Sequence, residues 1–98
     1  MEAVLINIEG KKRKIKIDTF EQARQIVCNF DSNSSIQIVI LSDGSAMLMN
    51  EDGKLKNFEF NEIATNLAHE KSGIYPSDFI VGDVLIVDSD EFDLLDFE

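Results

Sequence analysis

Ninety-eight residues with 44% hydrophobic content suit one domain around one core, and exclude both a two-domain chain and a wholly disordered one. Nineteen Asp and Glu against nine Lys and Arg leave a formal net charge of -10, a field that repels nucleic acid and anionic lipid and attracts basic surfaces. One cysteine, Cys28, forms no internal disulfide, and no apolar run approaches the roughly 18 residues that span a bilayer, so the expected protein is soluble and cytoplasmic.

The first β-rich segment, AVLINI (Ala3 to Ile8), is followed by a turn at EGKK and by RKIKI (Arg13 to Ile17), which alternates with period two. The pair predicts an antiparallel hairpin with Ile15 and Ile17 inward and Lys14 and Lys16 outward. Five of the nine basic residues, Lys11, Lys12, Arg13, Lys14 and Lys16, fall at this turn and outer face. Four basic residues against sixteen acids remain after Phe20.

DTFEQARQIVCNF predicts a helix. Thr19 and Gln22 fit a capping box, and Phe20, Ala23, Ile26, Val27 and Phe30 recur on one face, with Cys28 off that stripe as a small spacer. After the break at DSNSS, IQIVIL (Ile36 to Leu41) is the most apolar β-branched run, which predicts a central strand covered on both faces. Asp43-Gly44 then signals a hairpin, with AMLM (Ala46 to Met49) as the return strand. NEDGK (Asn50 to Lys54) is a turn, and LKNFEF a further short strand or an extended approach to the next element.

The second helix is expected in NEIATNLAHEKSG, with Asn61 as N-cap, an apolar stripe of Ile63, Ala64, Leu67 and Ala68, and Gly73 as the stop. Pro76 holds Tyr75 extended. FIVGDVLIV (Phe79 to Val87) is the last β run, interrupted at Gly82-Asp83, with Val84 and Ile86 on one face and Leu85 and Val87 on the other. The order β-β-α-β-β-(β)-α-β predicts an α+β fold: a twisted, mainly antiparallel sheet of about five strands with two helices on one face, or a sheet curled towards a half-barrel. It divides the chain into a domain, residues 1–87, and an acidic-hydrophobic tail, residues 88–98.

Signatures of enzymatic chemistry are missing from the sequence. The lone histidine, His69, has no nucleophile beside it, and Glu70, its neighbour in sequence, points elsewhere on a helix because adjacent residues diverge. There is no GxSxG, Walker loop, GxGxxG, HExxH or cysteine pair. DSDEFDLLDFE offers oxygen ligands at Asp88, Asp90 and Asp93, but a calcium loop needs an acid or Asn fifth and Gly sixth, where Phe92 and Asp93 stand. Neither a metal nor any other cofactor is expected, nor direct nucleic-acid binding, since the KKRKIK cluster sits in an opposing field. That cluster is read as a solvated edge that discourages sheet-to-sheet pairing, or as a partner for the chain's own acids.

The tail alternates six acids with Phe92, Leu94, Leu95 and Phe97. It is a frayed end, a docking strip for a basic partner, or a last piece of core folded back on the domain. As a docking strip it would work through Asp88, Asp90, Glu91, Phe92, Asp93, Asp96 and Phe97.

From NEDGKLKNFEFNEIA to FIVGDVLIVDSDEF the chain resembles a family of small proteins of phages and bacterial mobile elements, catalogued as a domain of unknown function, number 3846. Asn50, Glu51, Gly53 and Lys54 match its turn, Asn61 its later Asn, and Ile80, Gly82, Leu85 and Val87 its strand; the helical stretch EIATNLAHEKSG is longer here. The resemblance implies an accessory protein of a mobile element. The function expected on that footing is non-enzymatic: inhibition of a host protein, such as a nucleic-acid-binding defence component, by an acidic DNA-like surface in the anti-CRISPR manner. The alternative is a small-molecule binder, such as an oligomeric sponge for a nucleotide signal, which would need a pocket lined by KKRK.

Overall fold

A computed structural model describes residues 1–28 and 33–95. The elements, in chain order, are β1 (Glu2–Ile6), β2 (Lys12–Lys16), α1 (Phe20–Val27), β3 (Ile36–Ile40), β4 (Ser45–Asn50), α2 (Glu62–Glu70), β5 (Val84–Asp88) and α3 (Ser89–Asp93). The five strands form one sheet in the order β2-β1-β5-β4-β3, antiparallel throughout. The fold is α+β.

The two hairpins form where the turn residues place them. Between β1 and β2, Asn7 Oδ1 accepts from the N–H groups of Glu9 and Lys11, each at 3.0 Å. Between β3 and β4, Gly44 takes φ +88° and Asp43 Oδ1 accepts from Ser45 N, an arrangement suited to a three-residue hairpin loop with a left-handed third residue. Helix α1 starts as the capping box predicts. Thr19 Oγ1 accepts from Gln22 N at 3.1 Å, while Gln22 Oε1 reaches one residue further back, to Asp18 N. The expected stripe position Phe30 lies outside the described residues. Cys28 is not the off-stripe spacer the periodicity suggests. Helix α1 stops at Val27, and Cys28, at its C-cap, is buried in the core.

The helices do not share one face of the sheet; they cover both. Ala23, Val27 and Phe92 of α1 and α3 pack on Ala3, Ala46, Leu48, Leu85 and Val87. On the opposite face Ala64 and Ala68 of α2 pack on Ile6, Val39, Met47, Met49 and Val84. Burial on both sides explains why β4 and β5 are apolar at every core position rather than at alternate ones. The predicted faces of β5 hold, with Val84 and Ile86 towards α2, and Leu85 and Val87 towards α1.

IQIVIL is not central: β3 is an edge strand. Its continuous apolar character reports two different surroundings. Val39 and Leu41 are buried on the α2 face, where Gly73 comes so close that a Cβ there would lie 2.6 Å from Leu41 Cδ2. Ile38 and Ile40 lie on the α1 face and remain exposed.

Helix α2 starts at Asn61, as predicted, and ends with Ser72 in the left-handed conformation rather than Gly73. Asn61 is fully buried and fully used. Its Nδ2 donates to Ile6 O and Gly82 O at 3.1 and 2.8 Å, and its Oδ1 accepts from Ala64 N at 3.0 Å. One side chain therefore caps α2 and ties it to β1 and to the approach to β5. LKNFEF forms no strand, only turns and one isolated bridge, Phe60 to Val81.

Candidate functional site

Five of the seven residues expected to bind a partner lie on α3 or at its N-cap, and one of the five faces inward. Asp88 is the N-cap, its Oδ1 accepting from Glu91 N at 3.0 Å. Asp88, Asp90, Glu91 and Asp93 are exposed. Phe92 is 6% exposed and lies against Phe20 of α1, with ring centroids 5.7 Å apart. It is a core residue, not a free surface anchor. Leu95 is half-buried against the same cluster, whereas Leu94 is 85% exposed. Asp96 and Phe97 lie outside the described residues. Helix α3 thus continues the domain past residue 87, pinned by Phe92 with its acids outward.

Among the described residues, three other surface acids are ion-paired, and these are not. Arg24 holds Glu21 through Nε and Nη2, Lys54 pairs with Asp78, and Lys71 pairs with Asp43 at 3.5 Å. Each of those three carboxyls is held below its ordinary range. The leading cause is the hydrogen bond from Arg24 for Glu21, from the Ser45 hydroxyl for Asp43, and from Lys54 for Asp78. Among the described residues, no cation lies within ion-pair distance of Asp88, Asp90, Glu91 or Asp93.

The five cations of the first hairpin stand at the other extreme. Strand β2 is the second edge of the sheet, and Lys12, Arg13, Lys14 and Lys16 are exposed on it. In the pairing with β1, Lys12, Lys14 and Lys16 share the α2 face with Ile6, Val4 and Glu2, while Arg13 lies on the α1 face with Leu5. Lys11, Lys12 and Arg13 line an open cavity of about 320 Å³, together with Leu5, Asn7 and Asp83.

A second polar cluster escaped the sequence reading. Lys54 bridges two ligands of its own, the Asp78 carboxylate and the Phe79 ring, whose centroid is 4.4 Å from Nζ. Asp78 Oδ1 also accepts from Phe79 N, and the Asp78 carbonyl lies 2.8 Å from His69 Nε2. The cluster borders a cavity of about 60 Å³ lined also by Gln37, Asn50 and Glu51. Asn50 is buried, its Oδ1 accepts from Asp52 N, and its Nδ2 has no hydrogen-bond partner among the described residues. These residues are far apart in sequence, and only the packing of the 50–60 segment on 78–82 brings them together. Glycines permit that packing. A Cβ on Gly53 would meet Val81 Cγ2 at 3.0 Å, and one on Gly82, where φ is +76°, would meet Phe58 Cδ2 at 2.8 Å. The Asn50–Lys54 turn, Asn61 and the Ile80–Gly82 segment are therefore neighbours in space, and Gly53, Asn61 and Gly82 serve that packing.

Comparison with known proteins finds no matching family model, no matching curated protein and no matching solved structure. Among the described residues, no group of three His, Cys, Asp or Glu is placed to hold a metal ion, and no helix is long and apolar enough to cross a membrane.

Proposed function

We propose that the chain is a non-enzymatic binding protein that docks on a basic protein surface through the acids of α3. On this reading it is an inhibitor of phage or mobile-element type, and its target is a host protein that binds nucleic acid. The observation that carries it is the row Asp88, Asp90, Glu91 and Asp93. All four are exposed, without an ion-pair partner among the described residues, and fixed to a short helix by the buried Phe92. Unpaired carboxylates carried on a helix present negative charge from a set backbone to a cationic groove, and the backbone loses little freedom on docking.

The test is capture from a host lysate by the wild-type chain and by the triple variant Asp90→Asn, Glu91→Gln, Asp93→Asn. The wild type should retain a nucleic-acid-binding protein that both salt and duplex DNA elute, and the variant should not. The same protein held equally by both chains contradicts the reading.

A second reading is favoured by the cavity beside Lys11, Lys12 and Arg13, which would suit a phosphorylated small molecule such as a nucleotide signal. Asp83 on the same lining opposes an anion, so this reading ranks second. Calorimetry with pyrophosphate and with a cyclic dinucleotide separates the two: heat that disappears in Lys12→Ala supports the pocket, and no heat removes it.

A further inference from the structure

The two edges of the sheet are unlike. Edge strand β2 carries Lys12, Arg13, Lys14 and Lys16, charges that block the addition of another strand. Edge strand β3 reads IQIVI and carries no charge. Leu41 N donates to Ser45 O, and Glu51 N donates to Ser35 O, so the odd-numbered residues of this strand exchange hydrogen bonds with β4. The N–H and C=O groups of Ile36, Ile38 and Ile40 therefore point away from the sheet. Among the described residues they have no partner, whereas Ser42, next in the same row, donates its N–H to Lys71 O at 2.9 Å. The side chains of the same three isoleucines share one face, where Ile38 is 45% and Ile40 59% exposed.

We propose that β3 pairs with β3 of a second copy of this chain, antiparallel about a two-fold axis at Ile38. The two five-stranded sheets then merge into one of ten strands. In this register Ile38 faces its counterpart and Ile36 faces Ile40. The three residues with outward N–H and C=O groups become the hydrogen-bonded pairs, and all their backbone groups are satisfied at once. The same register lines up the six isoleucines as one apolar strip. The isoleucines are symmetric about Ile38, so two-fold self-pairing sets isoleucine against isoleucine at all three positions. Two carboxylates near the edge, Asp43 and Asp78, are each held by a lysine, which lessens the repulsion between copies. The inference is independent of both binding readings above.

The test is sedimentation equilibrium of the full chain at up to about 500 µM, a range suited to so short an interface, with amide hydrogen exchange read residue by residue. The apparent mass should rise with concentration from 11.0 kDa towards twice that value. Exchange at Ile36, Ile38 and Ile40 should slow in step, while exchange along β2 does not change. Added salt should strengthen the dimer, since each copy carries -10. Ile38→Lys, at an exposed position, should raise the dissociation constant at least about tenfold. A chain that stays monomeric throughout overturns the proposal, and that is also the outcome if a foreign strand covers this edge. A dimer whose Ile38 amide exchanges at a concentration-independent rate overturns it too. If Ile38→Lys fails to fold, the exchange data on the wild type decide alone.

Discussion

Phe92→Ala is predicted to damage the fold although it lies six residues from the end of the sequence. The ring is 6% exposed, sits in the cluster of α1, β4 and β5 residues, and meets Phe20 at 5.7 Å. Truncating a core Phe costs about 3–5 kcal/mol, of which an aromatic pair supplies about 0.5–1.5. A peripheral five-residue helix relaxes more easily than a central element, which places the expected loss at about 3 kcal/mol. For a domain of this size that lowers the melting midpoint by about 12–24 °C. The control is Leu94→Ala two residues later, 85% exposed, with an expected effect within about 0.5 kcal/mol. Thermal and urea unfolding followed by circular dichroism measures both. An unchanged midpoint in Phe92→Ala, or equal losses in the two variants, would refute the assignment of α3 to the core.

Asn61→Ala should destabilise by about 2–4 kcal/mol in urea unfolding, since it orphans Ile6 O, Gly82 O and Ala64 N together. Gly73→Ala forces a Cβ against Leu41 and Val39 and should cost about 1–3 kcal/mol; Gly44→Ala, which meets nothing within 4 Å, should show only the left-handed backbone penalty of about 1 kcal/mol. The lowered carboxyls of Glu21, Asp43 and Asp78 contribute stability that is present above the unfolded-state values, near pH 4, and lost as pH falls through the folded ones. Asp43→Asn and Asp78→Asn should each flatten the acid limb of the stability profile. An unchanged limb in both variants would show that these pairs do not set it.

Local chemistry made much of the fold legible. Asp43-Gly44, the Thr19–Gln22 box, the Asn61 cap and the break at Gly82 are short-range signals whose physics is complete within a few residues, and each holds. Sheet order is not of that kind. IQIVIL and VLIV look alike in sequence, yet VLIV is covered on both faces while Ile38 and Ile40 stay exposed on one, and apolarity does not report the neighbours at a strand's sides. The same limit affected the tail. Phe92 and Leu94 are two residues apart in one acidic run, and only the position of Phe20 distinguishes the core residue from the exposed one. The Lys54, Asp78 and His69 cluster spans segments joined only by tertiary packing. Its one trace in the sequence is the pair of glycines, Gly53 and Gly82, at which the two segments meet.

The proposed function is tested most directly by the salt dependence of affinity for the captured partner, measured with the wild type and the Asp90→Asn, Glu91→Gln, Asp93→Asn variant. The account predicts that wild-type affinity falls steeply between low and physiological salt, with a Debye length shrinking to about 8 Å, and that the variant binds weakly at every salt concentration with a flattened slope. Equal affinities and equal slopes for the two chains would contradict it.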